Sequence, residues 1–162
     1  MQILISDSNI FIDMDVANLT SQMFALPYQF ATPDILYYEE LEEEHPHLLD
    51  VDLKILTLSS NTVKYTESII CKYPKTSRND LFALALAKQE KCPLITGDMA
   101  LRKAGEKEGI QIFGTIWIVD ELIKHNRDKV RFRVAKNLSK PRYYRVKKGI
   151  FYRWVVKKVS IL

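Results

Sequence analysis

Five short apolar runs recur along the chain and stop at polar residues: Ile3–Ile5, Phe30–Thr32, Lys54–Leu56, Leu94–Thr96 and Ile110–Phe113. Runs this short predict strands buried on both faces. Between them lie segments of helical length, about Val16–Leu26, Asp34–His45, Thr62–Cys71, Arg78–Lys91, Met99–Glu108 and Ile116–Lys124. Thr32 suits an N-cap with Pro33 at the first helical position, Gly109 suits a helix C-cap, and Pro93 marks the turn into the Leu94 strand. Strands alternating with amphipathic helices predict an α/β fold with a parallel central sheet covered on both faces. The rhythm breaks in the last 37 residues. There, residues 143–146 and 150–156 read as two strands of a hairpin joined by Lys147-Lys148-Gly149.

At 162 residues the chain is one domain's length. Its hydrophobic fraction of 47% with 5 Gly and 6 Pro excludes disordered and collagen-like classes. Cys71 and Cys92 are too few for a disulfide framework and read as packing residues, so a cytoplasmic location is expected. No apolar run approaches the roughly 18 residues of a membrane span. The net charge of +4 hides an asymmetry. Residues 1–125 carry 11 basic and 19 acidic side chains, whereas residues 126–162 carry 13 basic side chains and one acid, Asp128. The division implies an acidic body, 1–125, and a basic extension, 126–162, that takes a polyanion as partner. Tyr143, Tyr144, Phe151, Tyr152 and Trp154 alternate with its charges and can stack on unpaired bases, or form one apolar strand face.

Ligands of open parallel sheets bind beyond the carboxyl ends of the strands, so acids that directly follow strands are candidates. Asp7 follows the first strand and Asp98 the fourth, with Gly97 before it. Both also suit helix capping. Asp80 lies in the first turn of the Arg78 helix, beside the apolar stripe Leu81, Leu84 and Ala85. Among the glutamates of 39–44, Glu40 adjoins Leu41 and sits one turn from Leu36; Glu39 and Glu43 are the alternatives. Four carboxylates meeting in one pocket require hard cations, Mg²⁺ or Mn²⁺. Zinc is disfavoured, because His45, His47 and His125 lack a helical i,i+4 partner or a nearby cysteine. Two ions roughly 3.5 to 4 Å apart would bind a phosphodiester and activate water, which is nuclease chemistry.

Four blocks carry a resemblance: residues 5–12 (ISDSNIFI), 32–41 (TPDILYYEEL), 79–85 (NDLFALA) and 94–102 (LITGDMALR). In order and spacing they resemble the PIN domain family of metal-dependent ribonucleases, which includes VapC-like toxins of type II toxin-antitoxin systems. The resemblance covers about residues 1–124. It implies a three-layer α/β/α sandwich, an RNA substrate, an antitoxin partner and a homodimer. It places the metal-binding acids on Asp7, Glu40, Asp80 and Asp98, with Asn9 orienting the Asp7 side and Thr96 donating a supporting hydrogen bond. Phosphate contacts are expected from Arg102, Lys103, Arg142, Arg145, Lys147 and Lys148. The basic extension departs from the family's pattern; it would guide RNA, pair with another subunit or bind the antitoxin. A phosphatase of the haloacid-dehalogenase type would want Asp where Asn9 stands, and a receiver domain would want a strand-end lysine that is not found. The alternative function is a non-catalytic PIN-fold protein that binds RNA or acts as a scaffold.

Overall fold

A computed structural model describes residues 1–125; the hairpin expected at 143–156 and the whole of 126–162 lie outside the described residues. Five strands, β1 (Gln2–Ser6), β2 (Tyr28–Pro33), β3 (Lys54–Leu56), β4 (Leu94–Ile95) and β5 (Ile112–Phe113), form one sheet in the order β3-β2-β1-β4-β5. Every pairing is parallel. The helices are α1 (Ser8–Val16), α2 (Thr20–Phe24), α3 (Asp34–Glu40), α4 (Ser60–Ile70), α5 (Arg78–Gln89), α6 (Met99–Lys107) and α7 over 115–125. The architecture is the three-layer α/β/α sandwich. Strand order reverses at β1, whose two neighbours are β2 and β4, so the crevice beyond the carboxyl ends of β1 and β4 is the sheet's switch point.

Burial follows position in the sheet. Leu4, Ile5, Phe30, Ala31, Leu94 and Ile95 of the three inner strands are fully buried, while the edge strands β3 and β5 are not. Helix α5 is buried over seven consecutive residues, Leu81–Ala87. Alanines at 83, 85 and 87 keep its girth small, and it packs against α3, α4, α6, β1, β2 and β4 at once. Ser77 caps it as an N-cap, its Oγ accepting from the Asp80 N–H at 3.1 Å. Near the opposite end of the sheet Glu108, just past α6, binds four side chains. Its carboxylate accepts from Tyr65 at 2.5 Å, Tyr73 at 2.7 Å, Lys72 at 2.6 Å and Lys88 at 2.9 Å, fastening α4 and α5 to α6.

Several boundaries differ from the sequence reading. Of the helix expected over Val16–Leu26 only α2, Thr20–Phe24, forms; the longer α1 lies before it at Ser8–Val16, where no helix was expected, because the chain already coils at Ser8 under the Asp7 cap and breaks at Asn18. Asn18 takes φ 53°, a left-handed conformation that asparagine tolerates. Helix α3 stops at Glu40 instead of reaching His45; residues 41–44 turn, and a short 3₁₀ helix follows at Pro46–Leu48. This detour lets Leu41 and Leu48 both reach the core. Thr32 is not an N-cap. Strand β2 extends through Pro33, which caps α3, and the Thr32 hydroxyl donates to the Ser6 carbonyl at 3.2 Å. Cys92 packs partly against the core, but Cys71 is exposed at the C-cap of α4 and is not a packing residue. Gly109 does take the left-handed turn expected after α6, at φ 74°.

Candidate functional site

Asp7 is the first residue beyond β1, and its backbone is still extended (φ −72°, ψ 167°). Its side chain turns back to cap α1. Oδ1 accepts from the Ile10 N–H at 3.1 Å, and Oδ2 accepts from the Thr96 hydroxyl at 2.5 Å. The residue is completely buried. Burial pushes its carboxyl up to about 7; the Thr96 and Ile10 hydrogen bonds oppose the shift, and the negative charges of Asp80 and Asp13 add to it. Among the described residues no basic side chain forms an ion pair with it. A carboxylate kept dry with no compensating cation is costly to ionise, and the cost disappears when a cation arrives.

Thr96 follows β4 and joins two acids. Its oxygen donates to Asp7 and accepts the Asp98 backbone N–H at 2.9 Å. Asp98 caps α6 through Oδ1, which takes the Leu101 N–H at 2.7 Å, and the residue is exposed. Gly97 is required between them by close approach: a methyl group on its Cα would stand 2.9 Å from the Thr115 hydroxyl.

Asp80 and Glu40 come from the helices on the other side. The Ser77 hydroxyl donates to Asp80 Oδ2 at 2.7 Å. Burial raises the Asp80 carboxyl, Ser77 opposes this, and the charges of Asp98 and Glu40 raise it further. Glu40 ends α3 and is held at both oxygens. Oε2 accepts from the Ser8 hydroxyl and Oε1 from the Asn79 amide at 2.7 Å. Ser8 adjoins Asp7 and Asn79 adjoins Asp80, so Glu40 is fixed beside both. The Asn79 amide also reaches Glu39 Oε2 at 2.9 Å, whereas Glu43 stands exposed in the turn after α3.

Asn9 is exposed in the first turn of α1, and the bonds that orient Asp7 come from Ile10 and Thr96. Ser8 and Asn79 had no role in the sequence reading. Their signal was present, a polar side chain beside an acid at a helix start, but the shared partner Glu40 lies 32 and 39 residues away. Arg102 is half-buried on α6 with Nε 3.6 Å from Glu106, and Lys103 beside it is exposed. Arg142, Arg145, Lys147 and Lys148 lie outside the described residues.

The four acids supply only oxygen, the donor set of hard divalent cations. Their mutual charge effects show that they share one region. Among the described residues, however, no three of them bring ligand atoms within 4.8 Å of one another; the group that does so is Asp15, His45 and His47. The spacing expected to disfavour a histidine site thus does not keep these rings apart. His45 and His47 flank Pro46, at the start of the 3₁₀ helix, and both reach Asp15 at the end of α1.

A family model described as PIN domain matches residues 3–150. No curated protein matches the chain. The VapBC2 structure from Rickettsia felis, bound to a DNA fragment from its promoter, is similar with TM-score 0.51 and 16% identity over 70% of this chain and 98% of that one. A PilT N-terminus domain protein from the archaeon Sulfolobus solfataricus P2 is similar with TM-score 0.50 and 12% identity over 78% and 97% of the two chains. These two likenesses concern the fold. No helix among the described residues is long and apolar enough to cross a membrane.

Proposed function

Because this chain belongs to the PIN domain family, we propose that it is an endoribonuclease dependent on Mg²⁺ or Mn²⁺, with Asp7, Glu40, Asp80 and Asp98 as the metal-binding acids. The observation that carries this reading is Asp7, a fully buried carboxylate at the switch point of the sheet that forms no ion pair with a basic side chain among the described residues, with Asp80's charge pressing on it. A divalent ion bound there supplies a water nucleophile at neutral pH and stabilises charge on the phosphodiester. The chain's own groups do the rest. Thr96 sets the Asp7 carboxylate and the 97–98 turn together; Ser8 and Asn79 aim Glu40; Ser77 holds Asp80 at the start of α5. Arg102 and Lys103, with Arg142, Arg145, Lys147 and Lys148 of the basic extension, contact RNA phosphates. The protein acts in the cytoplasm as the toxin of a toxin-antitoxin pair, as a homodimer whose site an antitoxin covers.

The test is cleavage of a mixed-sequence RNA by the full chain in Mg²⁺, in Mn²⁺ and in EDTA. Cutting with either ion and none in EDTA is expected. RNA binding without cutting in every condition contradicts the reading and favours a scaffold.

Thr96 offers a finer test. Thr96→Val removes both the donor to Asp7 and the acceptor of the Asp98 N–H, so cleavage should fall about 10- to 100-fold, the usual effect of losing a hydrogen bond that supports a metal ligand. The lost bond is one that lowers the Asp7 pKa, so the acid limb of the pH–rate profile should move to higher pH. Thr96→Ser should restore both, as steady-state assays between pH 5 and 9 will show.

A further inference from the structure

We infer that Asp15, His45 and His47 form a second metal site, for a borderline transition-metal dication of the Zn²⁺ class, separate from the carboxylates at the sheet's end. His45 Nδ1 lies 3.0 Å from Asp15 Oδ2, and His47 Nε2 lies 3.0 Å from Asp15 Oδ1. Tetrahedral Zn²⁺ with bonds of about 2.0 Å holds its ligands about 3.3 Å apart. Each His–Asp distance is near that edge length, to a different oxygen of Asp15, and one ligand atom from each of the three residues lies within 4.8 Å of the other two.

Two imidazole nitrogens and one carboxylate oxygen suit zinc, cobalt or nickel and do not suit magnesium. The site is also built. Pro46 fixes the backbone between the two histidines at the start of the 3₁₀ helix, and buried Leu41 and Leu48 anchor that segment on either side. The Thr20 hydroxyl donates to Asp15 Oδ1 at 3.3 Å. The His45 side chain is 12% exposed and the His47 side chain 43%, so one side is open for an ion to enter and for water to complete its shell. Asp15 lies eight residues beyond Asp7, about 12 Å along α1 at the rise of a helix. His45 follows Glu40 by five residues. A bound ion ties the last turn of α1 to the chain just past Glu40 and closes a loop 30 residues long.

The test uses the full chain dialysed against Zn²⁺ with excess Mg²⁺ present, comparing the wild type with His47→Ala and Asp98→Asn. The wild type should retain one Zn²⁺ per chain more than His47→Ala. Its melting midpoint should rise by roughly 5 °C with Zn²⁺, as a ligand of the folded state raises it, and that of His47→Ala should not. Co²⁺ should give the visible absorption of a tetrahedral site in the wild type and in Asp98→Asn but not in His47→Ala. Equal Zn²⁺ retention by the wild type and His47→Ala would overturn the inference and leave a hydrogen-bonded His–Asp–His bridge. Zinc lost in Asp98→Asn but kept in His47→Ala would also overturn it, placing the ion on the carboxylates.

Discussion

Asp7→Asn loses RNA cleavage by at least about a thousandfold, some 4 kcal/mol of transition-state stabilisation, and at the same time gains stability. The amide keeps the oxygen that caps α1; the charge goes, and with it the acceptor for the Thr96 hydroxyl, a smaller loss than the cost of a dry carboxylate. The gain follows from linkage. The folded-state carboxyl is pushed up to about 7 from an ordinary value of 3.8, so between about pH 4 and 7 the folded protein binds the proton and the unfolded chain does not. Metal-free wild type therefore loses stability as pH rises through that window and levels off above it, by at most about 4 kcal/mol at 1.36 kcal/mol per unit. Asp7→Asn lacks this loss. Urea melts in EDTA should show the two proteins alike near pH 4.5 and the variant more stable at pH 8. A variant no more stable at pH 8 would mean that Asp7 is not a strained carboxylate.

Glu108 is the counterexample within the same molecule, and Glu108→Ala should cost about 2 kcal/mol, since it strips a little-exposed carboxylate from two tyrosine hydroxyls and two half-exposed lysines. Its side chain is only 8% exposed, yet two lysines and two tyrosines surround it. Those hydrogen bonds hold its carboxyl well below the usual carboxylate range. The sign is opposite to that of Asp7: this stability is fully present above the unfolded value near 4.5 and is lost as pH falls through the folded one. Denaturant melts of wild type and Glu108→Ala at pH 7 should differ most, and the difference should shrink in acid. Glu108 stands about 15 Å from Asp98 along α6, so specific RNA cleavage per folded molecule should be unchanged. Of these two carboxylates, Glu108 is placed for stability, and Asp7 forms no ion pair among the described residues at the sheet's other end.

Much of this arrangement was legible in the sequence. The five apolar runs are the five strands because a parallel strand covered on both faces leaves little but apolar residues to read. Helix α5 was legible from its apolar stripe, α6 from its capping acid and α4 from its length alone, and Asp7, Asp80 and Asp98 stand at strand ends and helix starts, which are local features. Other features depend on distant contacts. The end of α3 goes with the burial of both Leu41 and Leu48 in the core, which no local glutamate pattern encodes. Ser8 and Asn79 gain meaning only through Glu40, and the two histidines around Pro46 only through Asp15. A spacing rule for helical i,i+4 ligands passes over a His-Pro-His turn whose third partner lies 30 residues upstream.

The measurement that tests the account most directly is RNA cleavage by wild type and Asp98→Asn across a range of Mn²⁺ concentrations, with the fold of each verified by its melting midpoint. Asp98 is exposed, and asparagine can still cap α6. A folded Asp98→Asn that fails to cut at every Mn²⁺ concentration at which the wild type cuts is the predicted result. Cleavage by Asp98→Asn at the wild-type rate and with the wild-type Mn²⁺ requirement would contradict it.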